Sequence, residues 1–482
     1  MPYAPACLAH ECLTRLQTKI DALLREFDEK PVTPQQVVAL EREVHAYFRH
    51  AADECFGAQL QVLVERVRGE ALERAREVGA VSRGRVRVPV RLLGGSTMHL
   101  HTSAVRRAPK KTGRKRGSGK RRRGVGMAST PALQALGFVS HCTPALGAEV
   151  VHAVSACESF ASANMQLARR GIELGVASLH RLTAQLAEAM RQARDAWLSG
   201  GADGAPAGLP SCAGRRIVVC FDGGRLRQRV DKSLRKKANG YRDYTTDWVE
   251  PRQLVIYAID DSGKLAPSFG RVADATLGGA EEVMTMLGNY LKQLRICEAE
   301  EVIIAADGQR WQWARLVKLL EDLGVQTARI TQVLDKCHAV SRLYELAELP
   351  RWTQARRVRW QLKARKLLDE GDLDGLIREG LALAKGRRAK TVKQLVGYFQ
   401  HHRQRMDYKS FKSRGIPTGS GVVESMLRQV VNMRLKATGK FWRRENAERM
   451  LMLRSWLKSR RLERLYAFSI NFHTHNFQSL AA

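Results

Sequence analysis

The sequence predicts a mixed α+β / α/β chain whose strand-bearing domain is interrupted by a helical insertion and preceded by helical modules and a basic arm. Three observations predict it. Short apolar runs alternate with amphipathic helical stretches between residues 215 and 338. Helical spacing fills residues 8 to about 78 and 131 to 198. Between those helical blocks, Gly79 to Gly147 holds no acidic residue at all.

Composition bounds the partner before any motif is read. The 482 residues suffice for two to four domains and a sizeable core. A formal charge of +33, from 81 Lys and Arg against 48 Asp and Glu, exceeds what solubility requires and points to a polyanion. Nucleic acid leads, with ribosomal or nonspecific RNA association as the plainer alternative. Nine scattered cysteines, without a CxxC pair or a secretory signal, read as reduced thiols of a cytoplasmic protein, nucleoid-associated by its charge. No stretch approaches the roughly 20 apolar residues of a membrane span, so no membrane partner is expected.

Residues 1–80 form a helical N-terminal module. Leu13, Leu16, Ile20, Leu23 and Phe27 recur at helical spacing, as do Val37, Leu40, Val44 and Phe48, and Thr33-Pro34 reads as the start of the second helix. Residues 81–130 combine a short alternating strand or hairpin at Arg85 to Val90 with a disordered basic arm. From Arg106 to Arg123, eleven of eighteen residues are Lys or Arg. Arg106, Arg107, Lys110, Lys111, Arg114 and Lys115, then Arg116, Arg121, Arg122 and Arg123, are the cations expected to wrap phosphates. A localisation signal or a plain linker is the alternative.

Residues 131–198 are helical again. Phe160 to Leu174 and Ser178 to Met190, the latter capped by Ser178, outline either a DNA-binding helix-turn-helix or an ordinary helical hairpin. Residues 199–214, rich in Gly, Ala and Pro, read as a linker.

The strand-bearing domain opens with Arg216 to Phe221 and continues through a basic alternating region to Tyr244, then a strand at Leu254 to Ile259. An amphipathic helix carrying Val283, Leu287, Tyr290 and Leu294 precedes the run Val302 to Ala306. A second helix with Trp313, Leu316 and Leu320 leads to a strand ending at Leu334. The order strand, strand, strand, helix, strand, helix, strand is that of an RNase-H-like catalytic domain, with its first part at 215–338. Residues 339–412 read as a basic helical insertion, and 413–482 as C-terminal helices of the catalytic domain.

Within this order the carboxylates stand out. Asp222 and Asp307 each follow an apolar strand and precede Gly, which sets both at one sheet edge, where open α/β folds build their sites. Glu424, in the first turn of a late helix, completes a set able to hold two divalent cations roughly 4 Å apart for phosphoryl transfer. Each acid also has a plainer reading, as a turn aspartate or a helix-dipole partner. Asp335 ends a strand too and is a rival ligand. His338 reads either as an orienter of phosphate or water or as a structural histidine.

These residues carry a resemblance. Phe221-Asp222-Gly223-Gly224-Arg225, Ala306-Asp307-Gly308 with Trp311 beyond, Leu334-Asp335-Lys336-Cys337-His338, and Gly419-Ser420-Gly421-Val422-Val423-Glu424-Ser425 resemble the DDE transposases of bacterial insertion sequences, in particular the Kra-type group related to the Mutator-like transposases. The similarity covers about 213 to 460 and only loosely the N-terminal half. It implies Asp222, Asp307 and Glu424 as catalytic metal ligands, with Asp335 and His338 as second-rank ligands. It further implies two Mg²⁺ or Mn²⁺ ions, transposon-end and target DNA as partners, and at least a dimer on DNA. Arg434 and Lys436 would hold phosphates, and Trp442 would stack on a flipped base or wedge the duplex, although a basic helix face and a core tryptophan are equally plain readings.

The function expected is therefore metal-dependent DNA cleavage and strand transfer. A basic nucleic-acid-binding protein, or a nuclease derived from a transposase, is the alternative.

Overall fold

The computed structural model describes residues 5–29, 32–107, 129–233, 242–308 and 310–475. Of the basic arm, Lys110 to Arg123 therefore lie outside the described residues. By their contacts the residues divide into two units. The first comprises the chain through Trp197, Ala202–Ala207 and the residues from Glu463 onward, and the second comprises Leu198–Gly201 and Gly208–Leu462.

The first unit opens with α1 (Pro5–Asp28) and α2 (Pro34–Glu77). Thr33 caps α2 reciprocally with Gln36, each side chain accepting the other's backbone N–H at 3.3 and 2.9 Å. β1 (Ala80–Arg91) and β2 (Thr97–Arg107) then form an antiparallel hairpin. Leu60 and Val64 of α2 bury against Val88, Val90 and Leu100 of the hairpin. Asp53, also on α2 and buried, holds the hairpin turn by accepting the N–H groups of Gly94 and Ser96, both at 2.9 Å.

Four helices follow: α3 (Pro131–Ala135), α4 (Pro144–Ala156), α5 (Phe160–Arg169) and α6 (Val176–Leu198). Leu179, Leu182, Leu186, Met190 and Trp197 give α6 one buried stripe. Ser178 lies inside its first turn and not at its cap, because the helix already begins at Val176, where the Gly175 carbonyl accepts Leu179 N–H. Residues 199–214 hold no helix or strand.

The second unit is built on a five-stranded mixed sheet. Its strands are β3 (Arg216–Gly223), β6 (Arg252–Ile259), β7 (Arg271–Thr276), β8 (Glu301–Ala306) and β9 (Ile330–Leu334), in the order β7-β6-β3-β8-β9. β3, β8 and β9 run parallel, whereas β6 and β7 are antiparallel to their neighbours. Every residue from Ile217 to Phe221 and from Val302 to Ala306 is buried, as both faces of an inner parallel strand require. α7 (Ala280–Gln293) and α8 (Arg310–Asp322) are the crossovers.

The basic alternating region, expected as the second strand, does not belong to this sheet. That region forms a separate antiparallel ribbon, β4 (Leu226–Asp231) with β5 (Tyr244–Val249). The antiparallel edge strand is β7, which hides from pattern reading because Asp274 stands in its middle. Fully buried, Asp274 accepts the Tyr290 hydroxyl at 2.6 Å and the Trp456 indole N–H at 3.4 Å.

The insertion after β9 comprises α9 (Lys336–Glu348), α10 (Gln354–Glu370), α11 (Leu373–Leu381), α12 (Ala389–His401) and α13 (Tyr408–Ser413). α14 (Gly421–Leu427) returns to pack on β3 and β6, and α15 (Arg444–Lys458) packs on β7. Between them α14 widens into a π-turn, Arg428–Asn432, whose extra residue brings both Val430 and Val431 into the core.

The final helix α16 (Leu462–His475) groups with the first unit from Glu463 onward, so the stretch 413–482 does not stay in one unit. Tyr466 donates its hydroxyl to the Pro144 carbonyl at 2.8 Å, and His473 bonds the Ala189 carbonyl at 2.9 Å.

Candidate metal centre

Three parallel strands end side by side. Cys220 pairs with Ala305 and Ala306 with Leu334, so the next positions set Asp222, Asp307 and Asp335 in a row along one sheet edge. Asp222 is still paired with Gln253 of β6, which fixes its height on the edge.

The field at Asp222 shows what surrounds it. Burial pushes its carboxyl up to about 6 against the N–H bond from Gly223; the charges of Asp307 and Glu424 reinforce the rise and His338 opposes it. The charges of Asp307 and Glu424 thus lie close enough to Asp222 to disfavour its ionisation.

Gly308 serves the backbone. Its φ of +92° lies in the left-handed region, and a Cβ there would meet the Leu334 side chain and the Tyr398 hydroxyl, both at 2.8 Å. The glycine therefore turns the chain tightly behind Asp307. At Gly223 the corresponding space is taken by the Glu250 side chain, so neither glycine opens the backbone to a ligand.

Glu424 reaches the edge through α14. The turn before that helix docks on the end of β9, where Lys336 N–H donates to the Thr418 carbonyl at 2.9 Å and Ser420 N–H donates to the Asp335 carboxylate. Asp335 is fully buried and also caps α9, accepting His338 N–H at 3.0 Å. The Ser420 hydroxyl then donates to Glu424 Oε1 at 2.8 Å. A chain of bonds thus runs from Asp335 through Ser420 to Glu424, while the His338 ring and Glu424 stay exposed.

Among the described residues, Asp335, His338 and Glu424 offer ligand atoms that all lie within 4.8 Å of one another. The sequence ranks Asp335 and His338 behind the set of Asp222, Asp307 and Glu424; the geometry groups both with Glu424, whereas Asp222 and Asp307 fall outside that cluster, Asp222 being coupled to Asp307, His338 and Glu424 through their charges. Carboxylate oxygens dominate these donors, which suits hard divalent cations such as Mg²⁺ or Mn²⁺, and one imidazole is compatible with Mn²⁺. Sequence reading passed over Ser420 and Tyr398. Ser420 had a signal in its spacing to Glu424, one helical turn on. Burial raises the Tyr398 phenol to about 12, opposed by Arg342 and reinforced by Asp307 and Asp335, so it remains a neutral donor beside the carboxylates.

The predicted DNA-contacting residues scatter. Arg106 and Arg107 belong to β2. Arg434 is only 2% exposed, with its guanidinium 5.6 Å from the centre of the Trp442 ring, so it packs in the interior and does not present a phosphate contact. Lys436 is exposed. Trp442 is half-buried and anchored, donating its indole N–H to the Leu435 carbonyl at 3.1 Å. No family model matches the chain, and the search of curated proteins returned no match. Among the described residues, no helix is long and apolar enough to cross a membrane.

Proposed function

We propose that the chain is a DNA transposase of the DDE type, cleaving and joining strands at a carboxylate-held pair of divalent cations. The observation that carries this reading is the alignment of Asp222, Asp307 and Asp335 on three parallel strand ends, with Glu424 and His338 delivered to the same edge. The strand order, with three antiparallel members on one side and two parallel additions on the other, supports an RNase-H-like assignment for this sheet.

Asp222, Asp307 and Glu424 are the proposed ligands, with Asp335 and His338 completing the set. When bound, such ions offset the negative charge that develops on the attacking and leaving oxygens of a phosphodiester. The protein's own part is to hold the donors fixed. Asp335 secures the turn at Ser420, and Ser420 orients one oxygen of Glu424. The charge of +33 supports DNA as the substrate.

The test is strand transfer of labelled transposon-end DNA in Mg²⁺ or Mn²⁺, comparing wild type with Asp222→Asn, Asp307→Asn and Glu424→Gln. Each substitution is expected to abolish joining while DNA binding persists. Joining that survives all three substitutions rejects the assignment. Cleavage without joining by the wild type assigns a hydrolytic nuclease.

A further inference from the structure

Trp442 was the aromatic residue the sequence singled out for stacking on DNA, yet its indole is bonded to a main-chain carbonyl and flanked by buried Arg434. The rings that face solvent lie on the neighbouring ribbon. Trp248 is 52% and Tyr244 41% exposed.

The ribbon is short and strictly alternating. Arg227 pairs with Trp248, Arg229 with Thr246 and Asp231 with Tyr244, so these side chains share one face. A third extended segment closes its edge, with Trp442 N–H donating to the Arg227 carbonyl at 3.0 Å and Arg229 N–H donating to the Trp442 carbonyl at 2.7 Å. This bridge sets Trp442 opposite Gln228 on the inner face and leaves Phe441 and Arg443 on the outer one.

On that outer face guanidinium groups and rings interleave. Arg227 lies 5.0 Å from the Trp248 centroid and 6.0 Å from that of Phe441, Arg229 lies 4.2 Å from Tyr244, and Tyr244 and Phe441 are 5.9 Å apart. Arg229, Arg242 and Arg443 all bond the single carboxylate of Asp231, which leaves the cluster with excess positive charge. Both origins of this surface are elements of the metal centre. β4 begins just beyond Asp222, and Phe441 to Arg443 follow the π-turn that continues α14 from Glu424.

We propose that this outer face is a stacking platform for unpaired nucleotides of the DNA strand entering the metal centre. Exposed rings offer π-faces that accept any base, and the neighbouring guanidiniums meet the phosphates. Duplex DNA keeps its bases stacked internally and gains nothing from the rings, so the platform selects single-stranded or frayed ends. The inference rests on the nucleic-acid reading of the chain but not on its catalysis.

The test is equilibrium binding in EDTA, where no cleavage occurs, of a fluorescent single-stranded DNA oligonucleotide and of the matching blunt duplex. Trp248→Ala and Tyr244→Ala are each expected to weaken single-strand binding about tenfold and to leave duplex binding within about twofold. Trp248→Phe keeps most of the affinity, and 2-aminopurine placed in the single strand is quenched by wild type but not by Trp248→Ala. Unchanged single-strand affinity in both alanine variants, or an equal loss for strand and duplex, overturns the platform. If Asp222→Asn abolishes joining while the alanine variants bind normally, the platform fails and the metal centre stands. The converse result retains the platform as a nucleic-acid surface of a chain that is not a transposase.

Discussion

The carboxylate of Asp335, buried at the end of β9, accepts the backbone N–H of Ser420, the residue from which α14 starts. The same carboxylate caps α9, so one acid fixes two helices against one strand end. Asp335→Asn replaces an acceptor oxygen with an amide that faces an N–H donor. It is expected to destabilise the chain by roughly 1–3 kcal/mol, read as a lower urea midpoint. Asp222→Asn is expected to leave the metal-free midpoint unchanged or raised, since it removes a charge that burial disfavours. An Asp335→Asn chain as stable as wild type would falsify the positioning role.

Ser420→Ala separates metal affinity from folding. It keeps the backbone bond to Asp335 and removes only the hydroxyl that holds Glu424 Oε1. Loss of such an orienting bond weakens metal binding by about 10-fold or more, with little change in thermal midpoint. Calorimetric titration with Mn²⁺ checks this, and an unaltered affinity contradicts it.

Asp222 gives the centre a pH dependence. Its folded carboxyl titrates at about 6, above the ordinary aspartate value of 3.8. A raised folded pKa contributes stability that is complete below the unfolded value and disappears as pH rises through about 6. In metal-free protein, the stability of Asp222→Asn relative to wild type is therefore expected to grow between pH 4 and pH 7. Metal affinity should fall as pH drops below about 6, when the carboxylate takes up a proton. Urea denaturation of both chains across this range, with Mn²⁺ titrations in parallel, supplies the measurement; a gap independent of pH rejects the expectation.

The π-turn depends on Arg454. Its buried guanidinium donates to the Val430 carbonyl at 3.0 Å and to that of Gln429, groups that the widened turn releases from helical bonding. Burial lowers its pKa to about 10, which still leaves it charged at neutral pH. Arg454→Met strips both carbonyls of their donor and is expected to cost roughly 2–4 kcal/mol. Arg454→Lys recovers only part, because an ammonium lacks the planar fork. Chemical denaturation of the two variants tests the ranking.

Deleting residues 108–128 removes nine Lys and Arg. The slope of log affinity for DNA against log salt is expected to flatten, since fewer counterions are released on binding. Binding titrations at several salt concentrations measure it, and an unchanged slope excludes the arm as a phosphate binder.

Much of this chain is legible locally. The capping box at Thr33 and Gln36, the inner strands Ile217 to Phe221 and Val302 to Ala306, and the strand-end acids Asp222, Asp307 and Asp335 follow from apolar runs, caps and spacing, which act within a few residues. The excess of positive charge, from which a polyanionic partner is expected, is fixed by composition alone. What the tertiary structure decided is which distant residues meet. β7 became the antiparallel sheet edge because Tyr290 and Trp456 supply donors to its buried Asp274, a compensation no local pattern reveals. Arg434 moved inside and Trp442 became an anchor because the segment around Phe441 bridges to the β4–β5 ribbon at Trp442. Asp335 rose from rival ligand to keystone through its bond to Ser420, far along the sequence. Backbone propensity sets the elements, but a buried polar group is tolerated only where a partner from elsewhere in the chain satisfies it, and that pairing exists only in the fold.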